Sequence, residues 1–246
     1  YLPFAEERYP QYVDEMRGLA EGANISFADV LTLNTMEAVT MDALHLTRCT
    51  SFAVNEERTA DGHVLAAHNE DWIPEDEEDV YVVSACPTEE PPYLAMTYGG
   101  LLPNVGFNAY GIAQLIDSVY PTDSRMGIPR LFVSRAILAS RRISGAIGRA
   151  LVTHRAAGYN HLLVHESGEM YSIEVSARRF EILHGTDGYL VHTNHYLARN
   201  MKEIESDPEE LISSRVRYFR AMRLLRQSQN HSIKSLQAIQ KDHVNI

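Results

Sequence analysis

The chain has 246 residues, of which 45% are apolar and 22% charged, enough for one sizeable core without a second domain. A formal charge of −11 at pH 7 repels nucleic acid and anionic membrane surfaces over long range, so neither is expected as a partner. No apolar run approaches the roughly 20 residues that span a bilayer. No charged-then-apolar leader opens the chain, and two cysteines, Cys49 and Cys86, are too few for a disulfide framework. A soluble protein of a reducing, intracellular compartment is the expectation, and a first residue Tyr1 rather than Met leaves open a processed or shortened start.

Residues 9–22 place Tyr12, Val13, Met16, Leu19 and Ala20 at three-to-four spacing, with Gly22 and Asn24 as a stop, which predicts an amphipathic helix. Ser26, with Asp29 three residues on, caps a second helix to about residue 39, whose apolar side carries Val30, Leu33 and Met36. Asn34 and Glu37 sit beside that stripe, either as buried hydrogen-bonding groups or at the helix edge. At Cys49 the period changes to two, which is strand spacing. Asp61-Gly62 makes a turn, and residues 63–69 return as the second arm of a hairpin, bringing Asn69, Glu70 and Asp71 beside the end that holds Cys49. The acidic run from 70 to 79 contains Pro74 and lacks the glycine-punctuated spacing of a calcium loop, so it reads as a solvated loop.

Residues 80–86 with 93–98, and 105–108 with 112–116, predict two more hairpins. Pro129 opens a helix to about 140, and Ser144 caps another that ends near Gly158. Strands resume over 159–165, 170–175, 180–183 and 189–195. Asp207-Pro208 starts a helix whose apolar face carries Leu211, Tyr218, Met222 and Leu225, with Arg215 on the same face; Ser232 caps a last short helix. Helices, strands, two central helices, strands and helices in that order fit two facing antiparallel sheets with helices outside, an α+β fold. Strands and helices do not alternate singly, as a doubly wound parallel sheet requires.

One position concentrates the chemistry. A thiol at the head of a strand serves as a nucleophile if the Arg48–Cys49 bond is cut, because the freed α-amino group then lies beside it as a base. The competing reading is a small apolar residue in a core strand. His68, across the first hairpin, offers a third arrangement, a Cys–His amidase without cleavage. The phosphate-loop, dinucleotide, nucleophile-elbow and His-Glu-x-x-His motifs are absent. His192 and His195, three apart on a presumed strand, point to opposite faces, so no metal site is expected.

Cys49-Thr50-Ser51, Asn69-Glu70-Asp71-Trp72, Gly106-Phe107-Asn108-Ala109-Tyr110-Gly111-Ile112, Thr193-Asn194-His195-Tyr196 and Ser213-Ser214-Arg215 occur in one order across the chain. So do Leu19-Ala20-Glu21-Gly22, Leu31-Thr32-Leu33-Asn34 and Glu37 before them. In these the chain resembles the acyl-coenzyme A:6-aminopenicillanic acid acyltransferase (isopenicillin N acyltransferase) family, cysteine members of the N-terminal nucleophile hydrolases. The resemblance implies a four-layer αββα sandwich. It makes residues 1–48 a pro-segment that stays as a second subunit and 49–246 the catalytic part. Cys49 becomes both the self-cleavage and the catalytic nucleophile, and Asp71 the holder of the new amino terminus. Asn194 becomes the oxyanion donor, with Asn108 as a second polar wall. Arg215, after Ser214, pairs with the active-site carboxylate or steadies the nucleophile.

Ser176 and Ser214 are further pocket candidates, as are His68, Phe107 and Tyr110. The implied reaction runs through an acyl-cysteine passed to water, or to an amine or coenzyme-A-type thiol. It needs a small-molecule amide or acyl donor and no cofactor, and it leaves a homo-oligomer, or a silent binding member of the fold, open. Arg48 stands where relatives often have Gly, and His68 where bile-salt hydrolases have Arg. The family usually continues past a pair such as Asp242-His243, so a truncation at Ile246 is expected.

Overall fold

The computed structural model describes residues 1–40, 48–72 and 74–243; Ile246, and with it the expected truncation point, lies outside the described residues. Three helices precede the first strand: α1 (Leu2–Arg8), α2 (Pro10–Ala23) and α3 (Phe27–Thr40). The sequence reading misses α1, a seven-residue helix set off by Pro10 and too short for periodicity to reveal. α2 buries Tyr12, Val13, Met16 and Ala20 and stops where Asn24 turns left-handed at φ 55°. Ser26 Oγ accepts from Asp29 N at 3.1 Å and caps α3 as expected.

Asn34 and Glu37 are functional in packing rather than edge residues. Asn34 is buried: its Nδ2 donates to Val30 O and Gly100 O, both at 2.8 Å, and its Oδ1 accepts from Leu102 N at 2.9 Å. Glu37 accepts from Arg130 Nε at 2.8 Å and from Tyr159 Oη at 3.1 Å. Burial alone would lower the Arg130 pKa, but the facing charge of Glu37 prevails and raises it, so the pair stays ionic. Asn34→Ala is expected to cost about 1–3 kcal/mol, since Gly100 O and Leu102 N lose their partners. A urea-unfolding change below about 0.5 kcal/mol would show that α3 is held by something else.

β1 (Arg48–Val54) is the middle of a three-stranded antiparallel sheet between β10 (Tyr189–His192) and β2 (Leu65–Asp71). The second sheet is a seven-stranded meander in chain order: β3 (Val80–Ala85), β4 (Tyr93–Tyr98), β5 (Val105–Asn108), β6 (Ile112–Ser118), β7 (Tyr159–His165), β8 (Met170–Val175) and β9 (Phe180–His184). α4 (Arg130–Leu138) and α5 (Ile143–Ala150) cover its outer face and share its apolar core with α1–α3. The short α6 (Arg199–Lys202) follows β10. Then α7 (Ile212–Arg226) and α8 (Ile233–Gln240) cover the small sheet through Phe52, Val54, Ala67, Ala221, Leu225 and Leu236. This is the expected αββα sandwich.

Several boundaries move. α5 begins after Arg142 rather than at Ser144 and ends at Ala150, not near Gly158. The last long helix starts at Ile212 instead of 207, because the chain from Asp207 first makes isolated turns, with Asp207 itself at φ 46°. The Ser232 cap is present as a full capping box with Ser235.

Between the sheets two polar rows face each other. Ser51 pairs in register with His192 on one side and His68 on the other, which sets His192, Ser51 and His68 on one face of the small sheet. Asp117, Asn160 and Glu174 form the matching row across β6, β7 and β8. Ser51 Oγ donates to Asp117 Oδ1 at 2.8 Å and meets His68 Nδ1 at 2.9 Å. His192 lies between Asp117, at 3.3 Å, and Glu174, at 2.9 Å, all three with buried side chains. Buried charges are tolerated here because each is paired.

Candidate active site

Cys49, the second residue of β1, is 3% exposed and stands directly across from Glu70 of β2. Its backbone N–H leaves the strand ladder and donates to Asn194 Oδ1 at 2.8 Å. Its carbonyl oxygen accepts from Arg217 Nη1, which also reaches Thr50 Oγ1 at 2.9 Å, while Arg217 Nη2 donates to Asn194 Oδ1 at 2.8 Å. Asn194 Nδ2 donates to Ser118 O at 3.0 Å, and Asn194 N donates to Ser214 Oγ at 2.8 Å. Both peptide groups flanking the Cys49 Cα are therefore gripped by side chains from the β10 end and from α7.

Burial pushes the Cys49 thiol well up, the charges of Glu70 and Asp117 push the same way, and hydrogen bonds from the Ser118 backbone and the Asn194 side chain only partly oppose them. The sulfur is thus a neutral thiol near pH 7 and needs a base as it attacks. Burial lowers the pKa of Arg217, with the negative charge of Asp71 opposing the shift. The guanidinium remains charged, far above neutral pH.

The structure brings Cys49, Asn194 and Ser214 together, with Arg48 and Asp71 one register step further along, directly opposite each other. Asp71 is exposed, and the atom that holds the Cys49 nitrogen is Asn194 Oδ1. The helical arginine is not the expected one. Arg215 is half exposed and reaches Glu205 at 3.4 Å, whereas Arg217, buried two positions on, contacts Cys49. Two residues turn a helix by about 200°, so the two arginines leave opposite sides.

The row facing β1 is Ser214, Arg217, Ala221 and Leu225, buried because its polar members are paired. Its spacing of three, four and four is visible in the sequence, but counting large apolar side chains gives a different face. Arg217→Met is expected to cost about 2–4 kcal/mol by leaving Cys49 O and Asn194 Oδ1 short of partners. Arg215→Met should cost less, because Arg215 is half exposed and the buried Glu205 carboxylate keeps the Tyr196 N–H as a partner. Denaturant titrations of the two variants, if equal, would contradict this assignment.

Asn108 is not brought to Cys49. Its Nδ2 donates to Leu138 O at 2.8 Å and Ser140 O at 2.7 Å, while its Oδ1 accepts from Tyr110 N and Ile112 N. It therefore ties the β5–β6 turn to the end of α4. That turn adjoins the start of β6, and Ser118 at the far end is six residues away, about 20 Å along a strand. Ser118, which the sequence reading misses, occupies the place beside the sulfur. Phe107 and Tyr110 are exposed at the same remote turn, Tyr110 against Arg141.

Ser176 closes a turn after β8 through Asp123 and the amides of 178 and 179. His68 shares the Cys49 face of the small sheet, but its ring nitrogens face Ser51 and Glu70, the latter at 3.5 Å. Both cysteines are free thiols, Cys49 buried and Cys86 exposed. Among the described residues no group of three or more His, Cys, Asp or Glu side chains is arranged to hold a metal. No helix among them is long and apolar enough to cross a membrane.

Among curated proteins the chain is 26% identical over 195 residues to the 40 kDa form of acyl-coenzyme A:6-aminopenicillanic-acid-acyltransferase from Emericella nidulans, covering 78% of this chain and 54% of that protein. It is 27% identical over 165 residues to a β-alanyl-dopamine/carcinine hydrolase of Drosophila melanogaster, covering 59% and 42% respectively. The chain thus spans about half the length of these relatives.

In fold it is similar to a Caenorhabditis elegans N-acylethanolamine-hydrolyzing acid amidase ortholog, with TM-score 0.59, 14% identity, and 80% of this chain and 87% of that one covered. It is also similar to a single-residue variant of the conjugated bile acid hydrolase of Clostridium perfringens, with TM-score 0.53, 10% identity and coverage of 78% and 77%. The sandwich is that of the N-terminal nucleophile hydrolases. The family model for acyl-coenzyme A:6-aminopenicillanic acid acyl-transferase matches residues 57–246, beginning after Cys49 and covering most of the chain, and the protein belongs to that family of enzymes.

Proposed function

We propose that the chain is a self-processing amidohydrolase or acyltransferase whose nucleophile is Cys49. The observation that carries this is the bond from the Cys49 N–H to Asn194 Oδ1, with Arg217 bridging that oxygen and the Cys49 carbonyl. The nitrogen of the Arg48–Cys49 bond is held by an acceptor suited both to an amide N–H and, after cleavage, to an ammonium or amine. Sγ adds to the Arg48 carbonyl carbon, the C–N bond breaks, the nitrogen takes the thiol proton, and water hydrolyses the resulting thioester. The products are a carboxylate at 48 and a free α-amine at Cys49.

That amine, whose ordinary pKa is about 7.7–8.0, then removes the thiol proton as Sγ attacks a substrate amide. It passes the proton to the leaving amine, so an acyl-cysteine forms and the substrate C–N bond breaks. In this reading the Ser118 N–H and the Asn194 amide, which both lower the thiol pKa, stabilise the tetrahedral oxyanion. Asp71 supports the charge of Arg217 across the sheet. Water as acceptor gives hydrolysis; an amine or thiol gives transfer. Residues 1–48 remain docked through Asn34 and Glu37 as the second subunit.

Intact mass tests this directly. Incubated protein is expected to resolve into pieces of 1–48 and 49–246, and a short amide substrate should add its acyl mass to the fragment that begins at Cys49. A persistent single mass with no acyl adduct would overturn the proposal. His68→Gln separates the alternatives: acylation of Cys49 by the short amide continues if the α-amine is the base and stops in a Cys–His amidase, which needs no cleavage.

A further inference from the structure

A cavity of about 240 Å³ opens beside Glu70, the direct cross-strand partner of Cys49. Directly opposed residues in an antiparallel pair put their side chains on one face with Cα atoms about 5 Å apart, so this cavity begins one side chain from the sulfur. Its walls come from both parts of the chain, Leu33 and Met36 from α3, Tyr98 from the end of β4 and Leu101 from the connection that follows it.

Two separate features of this cavity select the same ligand charge. Trp72 and Tyr98 present tilted rings with centroids 5.9 Å apart and planes at 46°, and aromatic faces attract cations. The remaining lining is acidic. Of its charged residues, Arg130 is the one cation, paired with Glu37 and also facing the charge of Glu70, which leaves the carboxylates of Asp76 and Asp79 in excess. Asp76 also receives the Trp72 indole N–H, which holds ring and carboxylate side by side. The acidic segment expected to be a solvated loop is in part a 3₁₀ turn, Pro74–Asp79, that forms this wall.

Resting on the amidase reading of Cys49, we propose that this cavity is the substrate subsite and that it selects amides carrying a protonated amine. The ammonium sits between the Trp72 and Tyr98 rings and the carboxylates, and the apolar stem lies against Leu33, Met36 and Leu101. N-acyl substrates ending in a carboxylate are repelled.

Trp72 is the only tryptophan in the chain, so binding is read from its fluorescence without turnover. Full-length Cys49→Ala is titrated with 6-aminohexanoyl anilide and with hexanoyl anilide, which differ only in the terminal ammonium. The charged probe is expected to bind at least about tenfold tighter, and this preference should shrink as NaCl is raised from about 0.05 to 0.5 M. In the added Asp76→Asn and Asp79→Asn background it should fall to less than about threefold, with hexanoyl anilide affinity retained. Equal affinities, a salt-insensitive preference, or no fluorescence change with either probe would overturn the inference. Failure of the amidase reading is separate, because that shows as an absence of acyl-Cys49 in the mass of the unsubstituted protein whatever the anilides do.

Discussion

Cys49→Ala is expected to leave a full-length chain that neither cuts itself nor accepts an acyl group. Its amide-cleaving rate should fall by at least about 10⁴-fold, the scale seen when a nucleophile is removed from a catalytic unit whose members act together. Two measurements check this: intact mass after long incubation, and progress curves with an anilide substrate. Stability should change little by comparison, because the side chain is small and its removal deletes one buried sulfur. The hydrogen bonds at Cys49 N and O are backbone bonds that alanine keeps. Conversely, cleavage at 48–49 in Cys49→Ala would mean that another group or a contaminating protease cuts the chain. Rapid thiol labelling of Cys49 is expected only once cleavage has freed the strand end, since in the uncut chain the residue is 3% exposed and its thiol is pushed up by burial and by Glu70 and Asp117.

The second large effect belongs to His192. Burial by itself would lower its pKa, but hydrogen bonds to Asp117 and Glu174, together with their charges, raise it to about 9. The imidazolium, reaching over from the small sheet, is the cation that makes two buried carboxylates of the larger sheet's row compatible. His192→Leu leaves them facing each other with no charge between, and is expected to cost about 3–5 kcal/mol. The pH dependence follows from the sign of the shift. With a folded value above the ordinary 6.5, the stabilisation is fully present below pH 6.5. It declines as pH rises and is lost through about 9. The difference in urea-unfolding free energy between wild type and His192→Leu should therefore be largest near pH 6 and shrink by about 3 kcal/mol towards pH 10. A difference that stays constant over that range would show that the ring carries no linked proton. Since Asp117 also anchors Ser51 on the strand that carries Cys49, a slower processing rate should accompany the loss of stability.

Local signals sufficed for most elements of this protein. The switch from a three-to-four period to a period of two at Cys49, the Asp61-Gly62 turn and the Ser26 and Ser232 caps concern residues a few positions apart, whose chemistry acts within one helix turn or one hairpin. The pairing of Cys49 with Glu70 was legible for the same reason, because a hairpin places its far end beside its start. The family likeness named the neighbourhood of Asn194 and Ser214, which the fold does bring to Cys49.

Tertiary structure decided what depends on how separate elements face each other. Which of Arg215 and Arg217 enters the site is set by the rotation of α7 against β1, a matter of helix phase that shifts by about 100° per residue. The place of Ser118, rather than Asn108, beside the sulfur is set by which end of β6 crosses β1. The buried chain from His68 through Ser51 and Asp117 to His192 and Glu174 joins five strands in two sheets. No spacing along the sequence encodes that chain, because its members are paired by sheet register and by the stacking of one sheet on the other. The sequence by itself therefore determined the elements and the nucleophile candidate, while the packing of the two sheets and of α7 determined which polar groups surround it, since burial and partnering are properties of contacts between distant segments.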